Sequence, residues 1–279
     1  MLGPGSISPT LADNLNIGAN GKLVLNNFSL GISGSANGFS SNTGLQGTLE
    51  IDNGGSYQTT GGVGNHLVMN DGSLSDTFNS GPVGAVSANL ANGSNANFSG
   101  GFTGGTVTLD ASRIIGNDSA NGSTCNTNTL TLSDNSSFDP VGVGTVHIGS
   151  MNISGNSNIL GGQVYFGSSA TIQLSRGMTY AVGAGMDLYP SGSLTLTLAP
   201  GLFPVVGDQF NLFQVFGPIS GTFSSINFPP TGTGVWDTTH LYDSPNGFIS
   251  VVPEPTAMAL LTLGAAAILG RRRSGKKFF

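Results

Sequence analysis

Residues 47–54 read Gly-Thr-Leu-Glu-Ile-Asp-Asn-Gly, and this short segment contains the pattern that decides the fold. Its two apolar residues, Leu49 and Ile51, stand at i and i+2, so both point to the same side of an extended strand. The Asp-Asn-Gly that follows is typical of a tight turn, because these residues tolerate the left-handed backbone conformation. The segment therefore predicts a half-buried strand that ends at a sharp corner.

The same apolar spacing recurs along the chain. The pairs are Leu23/Leu25, Leu49/Ile51, Leu67/Met69, Val107/Leu109, Leu130/Leu132, Val146/Ile148, Val164/Phe166, Ile172/Leu174 and Leu194/Leu196, with a weaker set at Val86/Ala88/Leu90. Most successive starts lie about 20 residues apart, a period typical of solenoids whose coils bury their apolar faces by stacking. We expect an all-β, right-handed parallel β-helix with one strong strand per coil. An antiparallel sandwich or barrel is the alternative, although its strands usually recur about every 8–12 residues.

The composition fits an ordered, turn-rich β protein. Charged residues make up 8% of the chain, against roughly 25% in typical soluble domains. Before Pro253 the basic residues are Lys22, Arg113 and Arg176, so nothing there would neutralise a run of phosphates, and we expect no binding of nucleic acid. The single cysteine, Cys125, has no second cysteine with which to form an intramolecular disulfide.

The sequence changes in character near residue 200. Four aromatic-rich segments follow, at Gly207–Phe216, Gly221–Pro230, Val235–Tyr242 and Gly247–Val252. In the first of them Phe210, Leu212 and either Gln214 or Phe216 alternate. We predict solenoid repeats over 1–201 and a β cap over 202–252 that closes the open end of the stack. The segments Gly-Asp-x-Phe-x-Leu-Phe, Gly-Thr-Phe-Ser-Ser-Ile and Trp-Asp-Thr-Thr-x-Leu resemble the end of autotransporter-like β-helix proteins.

The tail, 253–279, has three parts in a fixed order. They are Pro253, Glu254 and Pro255, then an uncharged apolar run over 256–270, then a basic cluster over 271–277 that begins with Arg271, Arg272 and Arg273. Fifteen helical residues reach about 22 Å, short of the roughly 30 Å hydrocarbon core of a bilayer. On length alone the run suits a buried helix, but flanking arginines can snorkel to the headgroups and extend the span. We predict a transmembrane helix over 256–270 with its basic end in the cytoplasm.

This tripartite tail resembles the PEP-CTERM sorting signal of bacterial surface proteins. The resemblance implies a partner, a membrane-embedded exosortase that recognises the Pro-Glu-Pro motif and removes the helix. It also implies export, transient membrane anchoring and delivery to the cell envelope, the surface or the extracellular matrix. An exported chain needs an N-terminal signal, and the segment 1–10 has neither a basic region nor an apolar stretch. We therefore expect the exported form to begin upstream of Met1.

Candidate chemical sites are few. His66, His147 and His240 stand far apart, outside any metal-ligand spacing, so we expect no metal and no cofactor. No nucleophile elbow or phosphate-binding loop is present. Trp236 beside Asp237 could stack a sugar ring over a carboxylate, although a lone tryptophan in an aromatic segment is more often part of the core.

An enzyme is an alternative, because parallel β-helices include polysaccharide lyases and hydrolases. Asp52 and Asp71, expected at matching turn positions one coil apart, could supply the paired carboxylates of a hydrolase. The available bases, Lys22, Arg113 and Arg176, stand beside no carboxylate cluster, so we predict no catalytic residue. The Asp/Asn turns could offer oxygen ligands to calcium. The nonapeptide array that binds calcium between coils is missing, so the sequence gives only weak support for a calcium site.

A third class is an adhesin or an ice-binding surface, in which rows of Thr and Asn line a flat face. Threonines do occur on the predicted strands, but without a sustained Thr-x-Thr ladder, and the β-propensity of threonine accounts for them. The strand threonines are Thr48, Thr106, Thr108, Thr129, Thr131, Thr145, Thr195 and Thr197.

Taken together, the sorting tail and the lack of a chemical site predict a non-enzymatic exported surface or matrix protein. The alternatives are a polysaccharide-binding or adhesin β-helix, with exopolysaccharide as partner, and a carbohydrate-active β-helix enzyme.

Overall fold

The computed structural model describes residues 10–11, 22–32, 48–59, 66–76, 83–98, 102–117, 124–141 and 144–254. Within these ranges all regular secondary structure is extended. The strands are β1 (Thr10–Leu11), β2 (Lys22–Asn26), β3 (Ser29–Ile32), β4 (Thr48–Asp52), β5 (Ser56–Thr59), β6 (His66–Asn70), β7 (Ser73–Asp76), β8 (Val83–Ala91), β9 (Asn95–Phe98), β10 (Phe102–Asp110), β11 (Arg113–Asn117), β12 (Thr124–Ser133), β13 (Ser137–Val141), β14 (Thr145–Ile153), β15 (Asn158–Gly161), β16 (Gln163–Leu174), β17 (Val182–Ala184), β18 (Leu188–Tyr189), β19 (Ser193–Leu198), β20 (Gln209–Val215), β21 (Ser225–Asn227), β22 (Val235–Asp237) and β23 (Asn246–Val252).

The strands form two sheets that the chain visits in turn. Sheet A has the order β1-β3-β5-β7-β9-β11-β13-β15-β17-β20-β23-β22, and sheet B has the order β2-β4-β6-β8-β10-β12-β14-β16-β19-β21, with β18 also paired to β16. Each strand up to β19 pairs in parallel with the strand one coil away. The prediction of an all-β parallel solenoid is confirmed, with two strands in each coil instead of one. The right-handed winding stays a prediction.

The register stacks the apolar pairs of the sequence into two continuous columns on sheet B. The first column is Leu23, Leu49, Leu67, Ala88, Val107, Leu130, Met151, Ala170, Leu194 and Ile226. The second is Leu25, Ile51, Met69, Leu90, Leu109, Leu132, Ile153, Ile172 and Leu196. Nearly all of these side chains are buried and form the core of the stack.

The irregular spacing in the last third of the repeat has a structural cause. Val146 and Val164 belong to a different column, which also contains Cys125 and Leu188. The long strands β12, β14 and β16 each contribute residues to this third column and to the first two columns. The alternation of buried and exposed residues shifts halfway along each of these strands. Coils approach closely there: a Cβ on Gly149 would lie 2.6 Å from the Asn128 carbonyl oxygen. The series of apolar pairs in the sequence therefore combined residues that belong to different columns of the structure.

The corners between the sheets are built by residues in the left-handed conformation, as the turn sequences predict. Residues other than glycine with φ between 46° and 64° are Asn27, Asn53, Asp71, Asn92, Ala111, Asp134, Asn135 and Asn156. Next to these corners runs a ladder of buried serines, Ser94, Ser112, Ser136 and Ser157. The Ser136 hydroxyl donates to the Ser133 carbonyl at 2.5 Å and accepts from the Ser112 amide of the coil before at 3.1 Å. The Ser136 hydroxyl thus supplies the hydrogen-bond partner of the Ser112 amide, a backbone donor that would otherwise be buried without one.

The last strands of sheet A depart from the parallel pattern. β20 is parallel to β17 but antiparallel to β23, and β22 is antiparallel to β23. The register shifts between Asn211 and Phe213, so that Phe213 and Val215 are buried together with Phe210 and Leu212. The prediction that Gln214 or Phe216 would continue the inward alternation is therefore wrong, and the Phe216 side chain is 73% exposed.

Candidate functional site

The Pro-Glu-Pro segment begins where the folded body ends. Val251 is buried and Val252 pairs with Val235, so β23 is held in the sheet up to its last residue. Pro253 and Glu254 follow directly and are exposed. Pro255, the apolar run 256–270 and the basic residues Arg271, Arg272 and Arg273 lie outside the described residues. The first two residues of the motif are therefore accessible without any unfolding of the sheets.

Trp236 and Asp237 lie on β22, next to this exit point. Phe228 stacks on the Trp236 ring at a centroid distance of 5.8 Å, and Phe210 packs at a tilt at 5.9 Å. The indole Nε1 donates to the Pro229 carbonyl at 2.7 Å. A sugar ring would have to share the indole with Phe228 or displace it. The sugar-stacking role of Trp236 stays a prediction.

The carboxylate of Asp237 is engaged by its own turn. Its Oδ1 accepts hydrogen bonds from the Thr239 hydroxyl at 2.6 Å and from the Thr239 amide at 2.9 Å. These two bonds stabilise the ionised form, so the pKa of Asp237 lies below its usual value. Asp237 is thus a charged acceptor at neutral pH, suited to hold a turn or to accept from a ligand hydroxyl.

The two aspartates considered for a hydrolase do not stack on each other. Asp52 is in register with Asn70, and Asp71 lies one position further along, at the left-handed corner. Asp52 lies instead on the same side of β4 as Glu50, and Glu50 forms an ion pair with Lys22. The expectation that no base stands beside a carboxylate cluster is therefore wrong for Lys22, because the register of β2 and β4 brings these residues together.

The two carboxyl groups of this cluster differ in acidity. The Lys22 ammonium lowers the pKa of Glu50, which hydrogen-bonds to it. Partial burial, and then the neighbouring Glu50, raise the pKa of Asp52. Arg113 and Arg176 are likewise paired with carboxylates: Arg113 with the buried Asp139, and Arg176 with Asp208 at 3.9 Å. For Lys22 to accept a proton from a substrate, its side chain would first have to leave the ion pair with Glu50.

The three histidines lie in separate places, each with a neighbour of its own. His66 Nδ1 lies 2.8 Å from the Ser87 hydroxyl, and His240 Nδ1 lies 2.6 Å from Asp243 Oδ2. His147 stacks on Tyr165. Among the described residues, no three His, Cys, Asp or Glu side chains come together in a group that could hold a metal ion.

His147 begins an aromatic ladder on the outside of the stack. His147, Tyr165 and Tyr189 occupy successive coils, with centroid distances of 4.6 Å and 4.2 Å between their rings. The Tyr189 hydroxyl donates to Asp187 Oδ2 at 3.1 Å. A hydrogen bond with Tyr165, and then Asp187, raise the pKa of Tyr189 to about 12.

The outer surface of sheet B carries two rows of small polar side chains that the sequence alone did not reveal. One row is Ser87, Thr106, Thr129, Ser150, Ser169, Ser193 and Ser225, and the other is Asn89, Thr108, Thr131, Asn152, Thr171, Thr195 and Asn227. We call these two rows the polar face. Its side chains are exposed or half-buried, and none of them carries a charge. Neighbouring members along a row are about 4.8 Å apart, the spacing of paired strands.

The polar face changes the interpretation of the strand threonines, which the sequence analysis attributed to β-propensity alone. Thr-x-Thr occurs within β10, β12 and β19, and the pairs in β10 and β12 stack on each other. In the other coils the register continues the rows mainly with Ser and Asn, so that they extend over seven coils. The rows became visible only once the partner of each strand was known, because serine and asparagine in a strand give no sequence signal of their own.

The fold and the exit point define a single-chain parallel β-solenoid followed directly by a C-terminal signal. Residues 251–273 match the model of the PEP-CTERM protein-sorting motif. The chain therefore carries the sorting motif of exported proteins that an exosortase processes at the membrane. No curated protein and no solved structure matches the chain. In the part of the chain that the structure describes, no helix is long and apolar enough to cross a membrane.

Proposed function

We propose that this protein is a non-enzymatic β-solenoid that is anchored in the membrane by its tail, cut by an exosortase and delivered to the cell surface or the extracellular matrix. The observation that carries the proposal is the position of the sorting motif, which starts at the last strand, with Glu254 exposed. In this proposal the run 256–270 spans the membrane and Arg271, Arg272 and Arg273 remain in the cytoplasm.

The structure of the exit point supports cleavage of the folded protein. All hydrogen bonds that hold β23 in sheet A are made by residues up to Val252. A cut at or after Pro253 would therefore leave both sheets whole. Strands β20 to β23 act as the cap of the stack in this proposal, since the two edges they leave, β21 and β22, are only three residues long.

Replacing Glu254 tests the processing step. In cells that contain the exosortase, Glu254→Ala should abolish cleavage, and the full-length chain should accumulate in the membrane fraction. The matched control is Glu50→Ala, which removes the other glutamate of the chain and leaves the motif intact. Immunodetection of a tag placed after Phe279 measures the uncleaved form. Normal loss of the tag from the Glu254→Ala chain would contradict the proposal.

A second function, binding of matrix polysaccharide, is favoured by the polar face. Fourteen uncharged hydroxyl and amide side chains repeat there in register over seven coils. Each hydrogen bond to a sugar hydroxyl would contribute only about 0.5–1.5 kcal/mol. An extended neutral polysaccharide that runs along the rows could make many such bonds at once, which gives binding that is broad and individually weak.

Paired substitutions on opposite sheets test this second function. Thr131→Val with Asn152→Val interrupts one row of the polar face, whereas Asn95→Val with Asn97→Val makes a similar change on the outside of sheet A. Retention on the exopolysaccharide of the producing organism should fall for the first pair only. Equal retention of both double variants would exclude the polar face as the binding surface.

The enzyme alternative is tested in the same experiment. Its best-placed residues are Glu50, Asp52 and Lys22. Release of reducing or unsaturated sugar ends by the native chain, lost in Asp52→Asn, would replace the non-enzymatic proposal. Saturable binding lost in Trp236→Ala would favour the sugar-stacking prediction instead.

A further inference from the structure

Large apolar side chains lie exposed at the end of the body from which the tail departs. Phe203, Val205, Val206, Phe228 and Val235 are between 37% and 73% exposed. We call these five residues the terminal patch. Single exposed apolar residues are normal on protein surfaces, but a contiguous group of them marks a surface that meets another apolar phase.

Short contacts join the two chain segments that carry Phe203, Val205, Val206 and Val235. The Gly232 amide donates to the Pro204 carbonyl at 2.8 Å, and the Val206 amide donates to the Thr233 hydroxyl at 3.4 Å. A Val206 methyl lies 2.8 Å from the position that a Cβ on Gly234 would occupy. These contacts hold the segment 203–206 against the segment 232–235.

Phe228 lies around the edge of sheet A from the other members of the patch, because β22 is the edge strand and Val235 and Trp236 point to its opposite faces. The Phe228 ring stacks on Trp236, the residue next to Val235, at a centroid distance of 5.8 Å. Trp236 packs against the core and is partly buried, and its register partner Val251 is buried. Trp236 therefore anchors β22, the strand that carries Val235, to the core.

The terminal patch is tied closely to the start of the tail. Val235 is the register partner of Val252, the last residue of β23. From Val252 to Thr256, where the apolar run begins, the extended chain spans at most about 14 Å. If the run enters a bilayer, the patch is therefore held beside the same bilayer.

We infer that the terminal patch rests on the lipid surface while the tail is inserted, with its apolar side chains at the boundary between headgroups and acyl chains. The inference depends on the proposed insertion of the run 256–270. Apolar faces of interfacial proteins enter this boundary by about 5–10 Å. The ionisable groups described near the patch are the acidic Asp208, Asp237 and Glu254 and the basic Arg176, which is paired with Asp208. Acidic groups are in excess, so burial of apolar surface and not attraction to anionic headgroups would drive the contact. The contact would orient the solenoid with Glu254 at the membrane surface.

Trp236 makes the inference directly measurable, because it is the single tryptophan of the chain. The full chain is reconstituted into phosphatidylcholine vesicles whose acyl chains carry bromine close to the headgroup, and quenching of Trp236 fluorescence is recorded. Flotation of the vesicles measures separately whether the tail is inserted. We expect the chain to float with the vesicles and the Trp236 fluorescence to be quenched.

Two phenylalanines of equal exposure provide the matched variants. Phe203 and Phe216 are both 73% exposed, but Phe216 follows the far end of β20, which rises by about 20 Å over its length. Phe203→Ser combined with Val206→Ser should reduce the quenching severalfold, whereas Phe216→Ser should leave it unchanged. All three side chains are exposed, so the variants are expected to fold.

The outcomes separate the two proposals. A chain that floats with the vesicles while Trp236 stays unquenched overturns the lipid contact and leaves the proposed function standing; this result would also follow if the apolar run, or a second copy, covered the patch. Equal quenching in the Phe203/Val206 and Phe216 variants overturns the assignment of the contact to this patch. Failure of the chain to float overturns both the insertion of the tail and the contact that depends on it.

Discussion

The middle of the solenoid and its C-terminal end use the same kinds of strand in different ways. In the coils from β8 to β16, each strand pairs in parallel with strands about one repeat away, and the first two core columns of sheet B consist of Leu, Ile, Val, Met and Ala. At the end, β20, β22 and β23 pair in antiparallel fashion around Phe210, Phe213, Phe223 and Tyr242. The coils repeat one parallel pairing pattern, whereas the antiparallel arrangement occurs once, at the end of sheet A.

The antiparallel strands show how a stack of parallel coils ends. A parallel coil leaves an open edge that is able to accept another coil. The antiparallel return of β23 between β20 and β22 fills the edge of sheet A with residues from the chain's own last segment. The same return places the end of the last strand, and with it the sorting motif, at the bottom of the stack.

The largest expected effect comes from breaking the junction between the two regions. Phe213 is fully buried and pairs with β17 on one side and β23 on the other. Phe213→Ala should lower the free energy of unfolding by about 3–5 kcal/mol, from lost apolar contacts and the cavity left behind. In denaturant, Trp236 fluorescence should change before the β-type circular dichroism. Leu109→Ala in the middle of the stack is the comparison, and coincident, unshifted transitions for Phe213→Ala would show that the end is not a separate unit.

A smaller effect is expected from the serine ladder, which belongs to the stack. Ser136→Ala leaves the Ser112 amide and the Ser133 carbonyl without their side-chain partner inside the protein. We expect a loss of about 1–3 kcal/mol in the free energy of unfolding, because the Ser112 amide stays buried without a partner. The Ser133 carbonyl, by contrast, still accepts from the Ala111 and Ser136 amides. Ser150→Ala on the polar face is the control and should change the stability by no more than about 0.5 kcal/mol. Equal effects of the two variants would mean that the ladder is not a stabilising feature.

One corner of the stack offers a stabilising change. Ala111 has a φ of 46°, a conformation that other corners assign to Asn or Asp. This conformation is unfavourable for alanine by about 1–2 kcal/mol, and glycine loses about 0.5–1 kcal/mol through its greater freedom in the unfolded chain. Ala111→Gly should therefore stabilise the protein by about 0.5–1 kcal/mol in chemical denaturation. Ala88→Gly, on a buried strand position, should destabilise it; stabilisation by both would refute the conformational explanation.

The smallest effect concerns the aromatic ladder. The pKa of Tyr189 is raised from 10.0 to about 12 in the folded protein. Because the folded form holds this proton more tightly than the unfolded form, its contribution to stability is complete below the unfolded value and is lost as the pH rises through the folded value. Tyr165→Phe should lower the pKa of Tyr189 towards the ordinary value, measured by absorbance titration of tyrosinate. An unchanged titration curve would contradict the role of the Tyr165 hydrogen bond.

The sequence predicted the parts of the fold that leave a periodic signal. Apolar pairs such as Leu49 with Ile51 and Leu130 with Leu132 predicted the strands of sheet B. The Asn and Asp residues that follow them predicted the left-handed corners. The sheet A strands of the coils, before β20, were missed because each carries few inward apolar residues, such as Leu74 in β7 and Ile114 in β11. The bulge at Phe213 was also missed, since an inserted residue shifts the alternation without a composition signal.

The candidate sites divide in the same way. The sorting motif is local in sequence, so Pro253 and Glu254 could be identified before the structure was known. The polar face, the pairing of Lys22 with Glu50, and the terminal patch each join residues from different coils or loops. Such sites depend on which strand becomes the neighbour of which, and this register is set by the packing of the whole stack.

The central claim is that the folded solenoid is released from its tail at the membrane. Its most direct test is the intact mass of the protein recovered from the envelope and the extracellular fraction of producing cells. We predict a chain that has lost the apolar run 256–270 and the basic cluster 271–277, and that still contains the whole of β23. Recovery of the extracellular protein with Phe279 still at its end would contradict the claim.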